Sequence, residues 1–577
     1  MNHRIASRTL PLLLAAALTP GVSHARPDTN TERRAPLPES AILHASAIGV
    51  VRASQVNVDT FGMNLIGDAA HQPTIAIDPS APGRIVVAFR RFPNIATNSA
   101  EAAGAWSNDS GRTWHAFDLD PGVARSNPLV RVDSDGTFFF SSRTSAPLSQ
   151  IFRSTDGGHT WGGPLAAFGA DRQWLTIDTT SSLGNGAIYQ HWSNSSNPFA
   201  PNTFSRSLNG GNSFESPIAL VNRPLAGRSA IGLDGQLFIS GASSTSNSST
   251  FNLLRSSNAF GPAPTFLSST VAMGGTFLGT ASNAPNLFGL LGQVHVGVDQ
   301  SSGPRRGWVY VLSTVNPASA DPADIMLARS TDGGVTFSAP IKVNPEPAGP
   351  SAWQWFGGLS VAPDGRLDVI YFSTAGISTT QLMFTQSFDG GDTWSTPIQL
   401  TNTFDSRIGA PPSNGMGDWQ DMESDALGAT IVTCATLAGG QDVYFFRVGP
   451  DDCNRNGIDD AIDIESGFDP DCNANGIPDS CDIKSGLATD LSHPGIPDGC
   501  EPSCPGDFNL DGLVTDADFV VFVYSYNTLL CSDPIMPPGC RADLNSDSAV
   551  DDADFALFVS GYNDLVCTAP SKAATGK

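Results

Sequence analysis

The sequence predicts a mainly β protein: a seven-bladed β-propeller, with six blades as the alternative, followed by a small module of acidic loops and short helices. Three observations predict it. An eight-residue motif returns at blade-sized intervals through the first 450 residues. The 577 residues include 58 Gly and 42 Pro with only 15% charged residues, a turn-rich composition that suits short strands better than helices. Charge and cysteine both shift near residue 450. Residues 451–577 hold 24 Asp+Glu against 5 Lys+Arg, so −19 of the formal −25 lies there, with eight of the nine cysteines. The length argues for more than one domain, and 40% hydrophobic residues exclude wholesale disorder. So negative a chain is repelled by nucleic acid and anionic lipid, and no nucleic-acid partner is expected. Clustered carboxylates favour cations instead.

The elements follow in chain order. Arg4 and Arg8 precede the apolar run Leu10–Leu18, and Ser23-His24-Ala25 has the small residues of a cleavage site. Residues 1–25 therefore read as a secretory signal peptide, too short to span a bilayer. No later segment has about 18 uninterrupted apolar residues, so no transmembrane segment is expected. The predicted location is secreted, with attachment to a cell surface possible. Residues 26–45, rich in Pro, Arg and Thr, read as a linker.

The propeller is assigned to 46–449. The motif occurs at Ser107–Trp114, Ser154–Trp161, Ser207–Phe214, Ser330–Phe337 and Ser387–Trp394, with a degenerate copy at Ser256. In it, Asp or Asn accepts hydrogen bonds from its own turn, Gly takes positive φ, and the aromatic packs beneath a neighbouring strand. Each copy is a hairpin staple rather than a catalytic site. Around each lie four short strand candidates, such as 73–78, 85–89, 104–107 and 114–117 in the first unit. After the last copy only three strands follow, around 421–424, 429–432 and 442–446. The apolar segment 47–51 is placed to supply the missing one, which closes a ring of seven and leaves no long sheet edge. Cys434, in a strand-like run, reads as a buried thiol.

These Asp-boxes resemble the sialidase-like (BNR-repeat) superfamily. The resemblance implies a glycan ligand or glycoprotein and, in true sialidases, three arginines over a substrate carboxylate, a Tyr nucleophile supported by Glu, and an Asp acid/base. Carried over, Arg91 of Phe89-Arg-Arg-Phe-Pro93 and Arg172 become candidate carboxylate binders. Tyr371 and Glu423 become a candidate nucleophile pair. The arginine element departs from the family pattern, because Phe92 stands where Ile is usual and the segment lies in a second strand. Arg228, Arg306 and Arg407 also lie near blade starts, and no motif selects among them. A mouth of aromatic and polar residues is expected where inner strands begin: Gln173, Trp174, His191, Trp353, Gln354, Trp355, Asp418 and Trp419. Aromatic faces stack on sugars while amides and carboxylates take their hydroxyls.

The tail divides at 450–503, 504–568 and a disordered 569–577. Asp507, Asn509, Asp511, Thr515 and Asp518 occupy positions 1, 3, 5, 9 and 12 of an EF-hand-type loop, with Gly512 at position 6. Asp543, Asn545, Asp547, Asp551 and Asp554 repeat the spacing, each loop leading into an apolar helix. The pair resembles a dockerin module, which implies Ca2+ and a cohesin-like or surface scaffold partner. Upstream, Asp452, Asn454, Asn456, Asp460 and Asp463, then Asp471, Asn473, Asn475, Asp479 and Asp482, carry the same spacing and resemble thrombospondin type 3-like repeats. A third copy near Asp498 is degraded. Such segments have too little apolar area to fold alone, so calcium and up to four disulfides are expected to stabilise them. Cys504 and Cys567 flank the dockerin-like pair as a candidate bridge. Two functions compete: a glycan-directed propeller, with or without exo-glycosidase activity of sialidase type, and an adhesive surface protein whose propeller binds a protein.

Overall fold

The computed structural model describes residues 32–44 and 51–562, apart from 96–98, 145–148, 245–247, 282, 288, 320, 348, 350, 409–414, 418, 491–494, 496, 498–499, 501–505, 509–512, 534, 538–539 and 546. The expected signal peptide, most of segment 47–51, Asp418, Asn509, Asp511, Cys504, Cys567 and the C-terminus from 563 thus lie outside the described residues. Seven antiparallel sheets form a propeller of seven blades. Its inner strands are Ala69–Ile77, Arg125–Val132, Trp174–Ile177, Ser229–Ile231, Val294–Val298, Ala352–Val361 and Asp421–Ser424. Each touches the next, and the seventh touches the first.

Blade 7 shows how the ring closes. Its inner three strands, Asp421–Ser424, Ala429–Ala435 and Asp442–Val448, come from the chain's later part, and the outer one is Val51–Gln55, pairing Val51 with Val448. The closing strand thus begins where the expected segment ends. Residues 32–44, expected as linker, pack on the propeller: Arg33–Arg34 pair with Asn64–Leu65, Ile42 is fully buried, and Glu39 accepts the Ala53 N–H at 2.8 Å. One buried apolar side chain suffices to tie down so short a segment.

The staples have the geometry their residues dictate. In the second, Ser154 Oγ accepts the Gly158 N–H at 2.9 Å and Asp156 accepts the Thr160 N–H at 2.9 Å. Gly158 sits at φ +92°, where a Cβ would lie 2.7 Å from a Val86 methyl of the preceding blade. Glycine is therefore required twice over, for conformation and for inter-blade packing. The degenerate copy keeps the Asn-centred bonds through a longer turn, with Ser256 Oγ donating to Asn258 at 3.1 Å and Asn258 accepting the Thr265 N–H at 2.9 Å.

In the tail, short helices Asp460–Ser466 and Asp479–Ser485 follow the first two loops, and Asp516–Thr528 and Asp552–Tyr562 follow the last two. Disulfides join Cys453 to Cys481, Cys472 to Cys500 and Cys531 to Cys540. A small core of Phe508, Val514, Phe522, Met536, Ala542, Val550 and Phe558 holds the helix pair together. Cys434 is buried and free.

Candidate functional site in the central channel

Positively curved backbone opens several inner strands. Gln72, Asn127, Arg172 and Phe356 lie at φ +53° to +58° at matching positions, and register shifts accompany three of them. Each kink ends the outward-splayed lead-in and aims the next residues at the channel. Beyond the kinks, the strands bring Arg131, Trp174, Thr176, Arg228, His295, Asp421 and Glu423 around a cavity of about 500 Å³. Residues at or past the strand ends, among them Ile77, Ser134, Thr179 and Ser424, also line it, so the cavity lies towards the face where inner strands finish. Beyond Arg228 and His295, the side chains of Gln293, Phe356, Trp419 and Gln420 pack together. There the Gln420 amide donates to the Phe356 carbonyl at 2.5 Å.

An ion-pair cluster organises the cavity. Asp421 receives Arg131 at 3.0 Å and Arg228 at 2.5 Å, and the Ile75 N–H at 3.3 Å. Both guanidiniums lie over the Trp174 ring, 4.7 and 4.1 Å from its centroid, where the ring quadrupole favours cations. Burial acts to raise the Asp421 carboxyl, but the two arginines outweigh it and hold it below the ordinary range. Glu423, two residues on, has no such pair. Burial pushes it up to about 7 against the pull of Arg131. His295, buried and close to Arg228, is held neutral, its Nδ1 accepting the Leu359 N–H at 3.3 Å. One ionised and one protonatable carboxyl therefore share a rigid, charged cavity.

Few of the residues singled out from sequence meet there. Trp174 and Glu423 do. Arg91 is buried in blade 1 and clamped by Asp118 at 2.8 and 2.9 Å. Arg172 is half-buried, 3.9 Å from Asp171. Tyr371 is fully buried among blade 5 and 6 side chains and donates to Glu346 at 3.0 Å, not to Glu423. Burial and Glu346 push its hydroxyl far above the ordinary tyrosine range, so the structure does not assemble a Tyr371–Glu423 nucleophile pair. Gln173, His191, Gln354, Trp355 and Trp419 are buried and Trp353 is half-buried, so the expected aromatic mouth is packing rather than open surface. Gln173 donates to Ser141 at 2.6 Å, and the Trp355 indole donates to Thr374 at 2.8 Å. Burial lowers His191 to about 3. Arg131 and Asp421 are not among the candidates drawn from sequence. Arg131 had a signal, a charge in the apolar run Leu129-Val-Arg-Val132; Asp421 had none, since Asp421-Met-Glu-Ser424 is a mostly polar strand.

The tail loops gather oxygen-bearing side chains. Asp463 accepts from the Asn454 and Asn456 amides at 2.9 and 2.8 Å, and Asp452 accepts the Asn456 N–H at 3.0 Å. Asp482, Asn473, Asn475 and Asp471 repeat this arrangement. Carboxylate oxygens of Asp543, Asp547 and Asp554 lie within 4.8 Å of one another, a repulsive grouping that a hard cation relieves, so this donor set fits Ca2+. The position-9 residues serve local bonds: Asp460 and Asp479 accept the Cys453 and Cys472 N–H groups, while Thr515 and Asp551 cap helices. Asp518 accepts the Phe508 and Thr515 N–H groups at 2.8 Å, and Asn545 lies against Asp547 at 3.0 Å.

No protein-family model matches the chain, and no curated protein matches it. Among solved structures it is similar to a protein of unknown function from Dyadobacter fermentans DSM 18053 (17% identity, 70% of this chain and 100% of that one, TM-score 0.38). It is also similar to a PL25 polysaccharide lyase, an ulvan lyase (12%, 66% and 94%, 0.41), and to the sialidase of Trypanosoma rangeli (10%, 72% and 59%, 0.33). At such identities and scores, function has to be read from the residues. Among the described residues, no helix is long and apolar enough to cross a membrane.

Proposed function

We propose that this chain is a secreted, glycan-binding β-propeller whose ligand sits in the channel cavity, and that its calcium-stabilised tail anchors it to a scaffold or surface partner. The single observation that carries the reading is the cavity itself. At about 500 Å³ it has the size of a ligand site, and it alternates fixed polar groups (Arg131, Thr176, Glu423) with apolar ones (Ile177, Val296, Leu359). A saccharide presents the same alternation of hydroxyl edges and C–H faces. The disulfides suit an oxidising, extracellular setting. Exposed Phe519, Val520, Val523, Tyr524, Phe555 and Leu557 on the last two helices supply the apolar face for the partner.

Hydrolysis over simple binding is favoured by two carboxyls that line one cavity in unlike settings. Asp421 is ion-paired to Arg131 and Arg228, while burial pushes Glu423 up to about 7 and leaves it partly protonated near neutrality, the unequal pair that acid/base work on a glycosidic bond uses. The test pairs a glycan array with fluorogenic sialosides and neutral glycosides. Array binding is the expected result, and turnover abolished by Glu423→Gln would extend the reading to an enzyme. A chain that binds no glycan but captures a protein partner through the propeller is the adhesive alternative.

A further inference from the structure

The channel cavity is bounded on one side by a residue that the propeller does not supply. Arg455 belongs to the first tail loop, yet it lines the cavity beside Glu423 and Ser424. The loop is held at its entry, and the repeat that follows it is held to the propeller as well. At its entry, Asp451 pairs with Arg52 at 3.0 Å and Arg112 at 3.1 Å, both from the propeller. Further on, Arg112 donates to the Gly476 carbonyl at 3.2 Å and Arg84 to the Ser485 carbonyl at 3.0 Å. Within the loop, Asp452 accepts the N–H groups of Asn456 and Gly457, both at 3.0 Å, which holds Arg455 at φ +59°. The backbone that carries the guanidinium is therefore fixed against the propeller face.

The charges around the cavity are unequally committed. Arg131 and Arg228 both spend their guanidiniums on Asp421, and Arg447 spends its own on Asp425 at 2.5 Å. Arg455 has no carboxylate within ion-pair distance among the described residues. It is exposed, and its charge reaches Glu423. An uncommitted guanidinium at the rim of a cavity is the group to which an entering anion pairs, because its planar fork matches a carboxylate or sulfate.

We propose that Arg455 contacts the ligand of the channel site, and that the saccharide it receives is acidic, bearing a carboxylate or a sulfate ester. The inference rests on the channel being the saccharide site. It makes the first tail repeat a wall of that site as well as part of an anchor. The test is calorimetry on the full chain with three probes: a galacturonate trisaccharide, a sulfated galactan trisaccharide and a neutral galactose trisaccharide. The wild-type chain should prefer one acidic probe, which identifies the anion, over the neutral one. Arg455→Gln should weaken that probe about tenfold, the worth of one charge-assisted pair, and leave the neutral probe unchanged. Arg455→Lys should recover part of the loss. Arg455→Asn, whose side chain tolerates the left-handed backbone, should lose as much as Gln and so excludes loop strain as the cause. If an acidic probe binds wild type and Arg455→Gln alike, or the neutral probe is preferred, the assignment of Arg455 is overturned while the channel reading stands. If no saccharide binds the wild-type chain, both are overturned.

Discussion

Asp421 and Glu423 lie two residues apart on one strand, yet their surroundings push their carboxyls in opposite directions. Removing the Asp421 carboxylate leaves Arg131 and Arg228 together over Trp174 without the ion-pair partner they share. Asp421→Ala should therefore cost about 3–5 kcal/mol, read as a lowered urea midpoint with an unchanged slope. Glu423 behaves differently. Its folded-state value of about 7 lies above the usual 4.5, so its contribution is complete below about pH 4.5 and is lost as pH rises to about 7. Glu423→Gln stays neutral throughout. It should match wild type at pH 4.5 and exceed it at pH 8 by about 2 kcal/mol, less than the full shift gives because the cavity is wet. An equal difference at both pH values would show that folding leaves the Glu423 carboxyl at its ordinary value. Glu423 and Trp174 were legible as candidates from sequence and both line the cavity, but Glu423 lacks the Tyr371 partner expected for it, which bonds Glu346 instead. Their true neighbours come from other blades, and a strand's local pattern says nothing about what crosses a channel.

The stapled hairpin is the element that the sequence states most openly, because every bond in it is local. Five copies, and a sixth with a stretched turn, fold alike. Asp156→Ala removes bonds from the Thr160 N–H and hydroxyl and the Ser154 hydroxyl, and should cost about 1–2 kcal/mol, measured by thermal unfolding. Gly158→Ala should cost more, since it adds left-handed strain and a clash with Val86 that Asp156→Ala does not. The reverse order would mean that the turn's bonds, and not inter-blade packing, set the staple's worth. Kinks at Gln72, Asn127 and Phe356 were not legible. Gln and Phe seldom take positive φ, and Asn, which takes it more readily, gives no sign of where in a strand the ring geometry requires it. The expected aromatic mouth met packing for the same reason: large side chains at strand starts also fill the wedge between blades.

At the scale of the whole molecule, the blade count was readable because the last repeat lacked a strand and the N-terminal segment offered one. The seating of the tail was not readable, since Arg52, Arg84 and Arg112 look in the sequence like ordinary surface arginines. Calcium belongs to this scale. Titration of the full chain should show several sites, and a chelator should lower the tail's melting transition while leaving most of the propeller's intact. A tail indifferent to chelation would refute calcium as its stabiliser. The closing strand has a consequence for how the molecule comes into being. Asn57 accepts the Val443 N–H from a partner 386 residues away, so the strand beside it waits unpaired while nearly the whole propeller is synthesised. The loop-closure entropy is modest for its length, but the delay is not. During it, the waiting Val51–Gln55 strand can pair equally well with the Asp442–Val448 edge of a nearby copy whose own closing strand has not yet docked. Refolding at high protein concentration should accordingly yield strand-exchanged dimers, while dilute refolding yields the closed monomer.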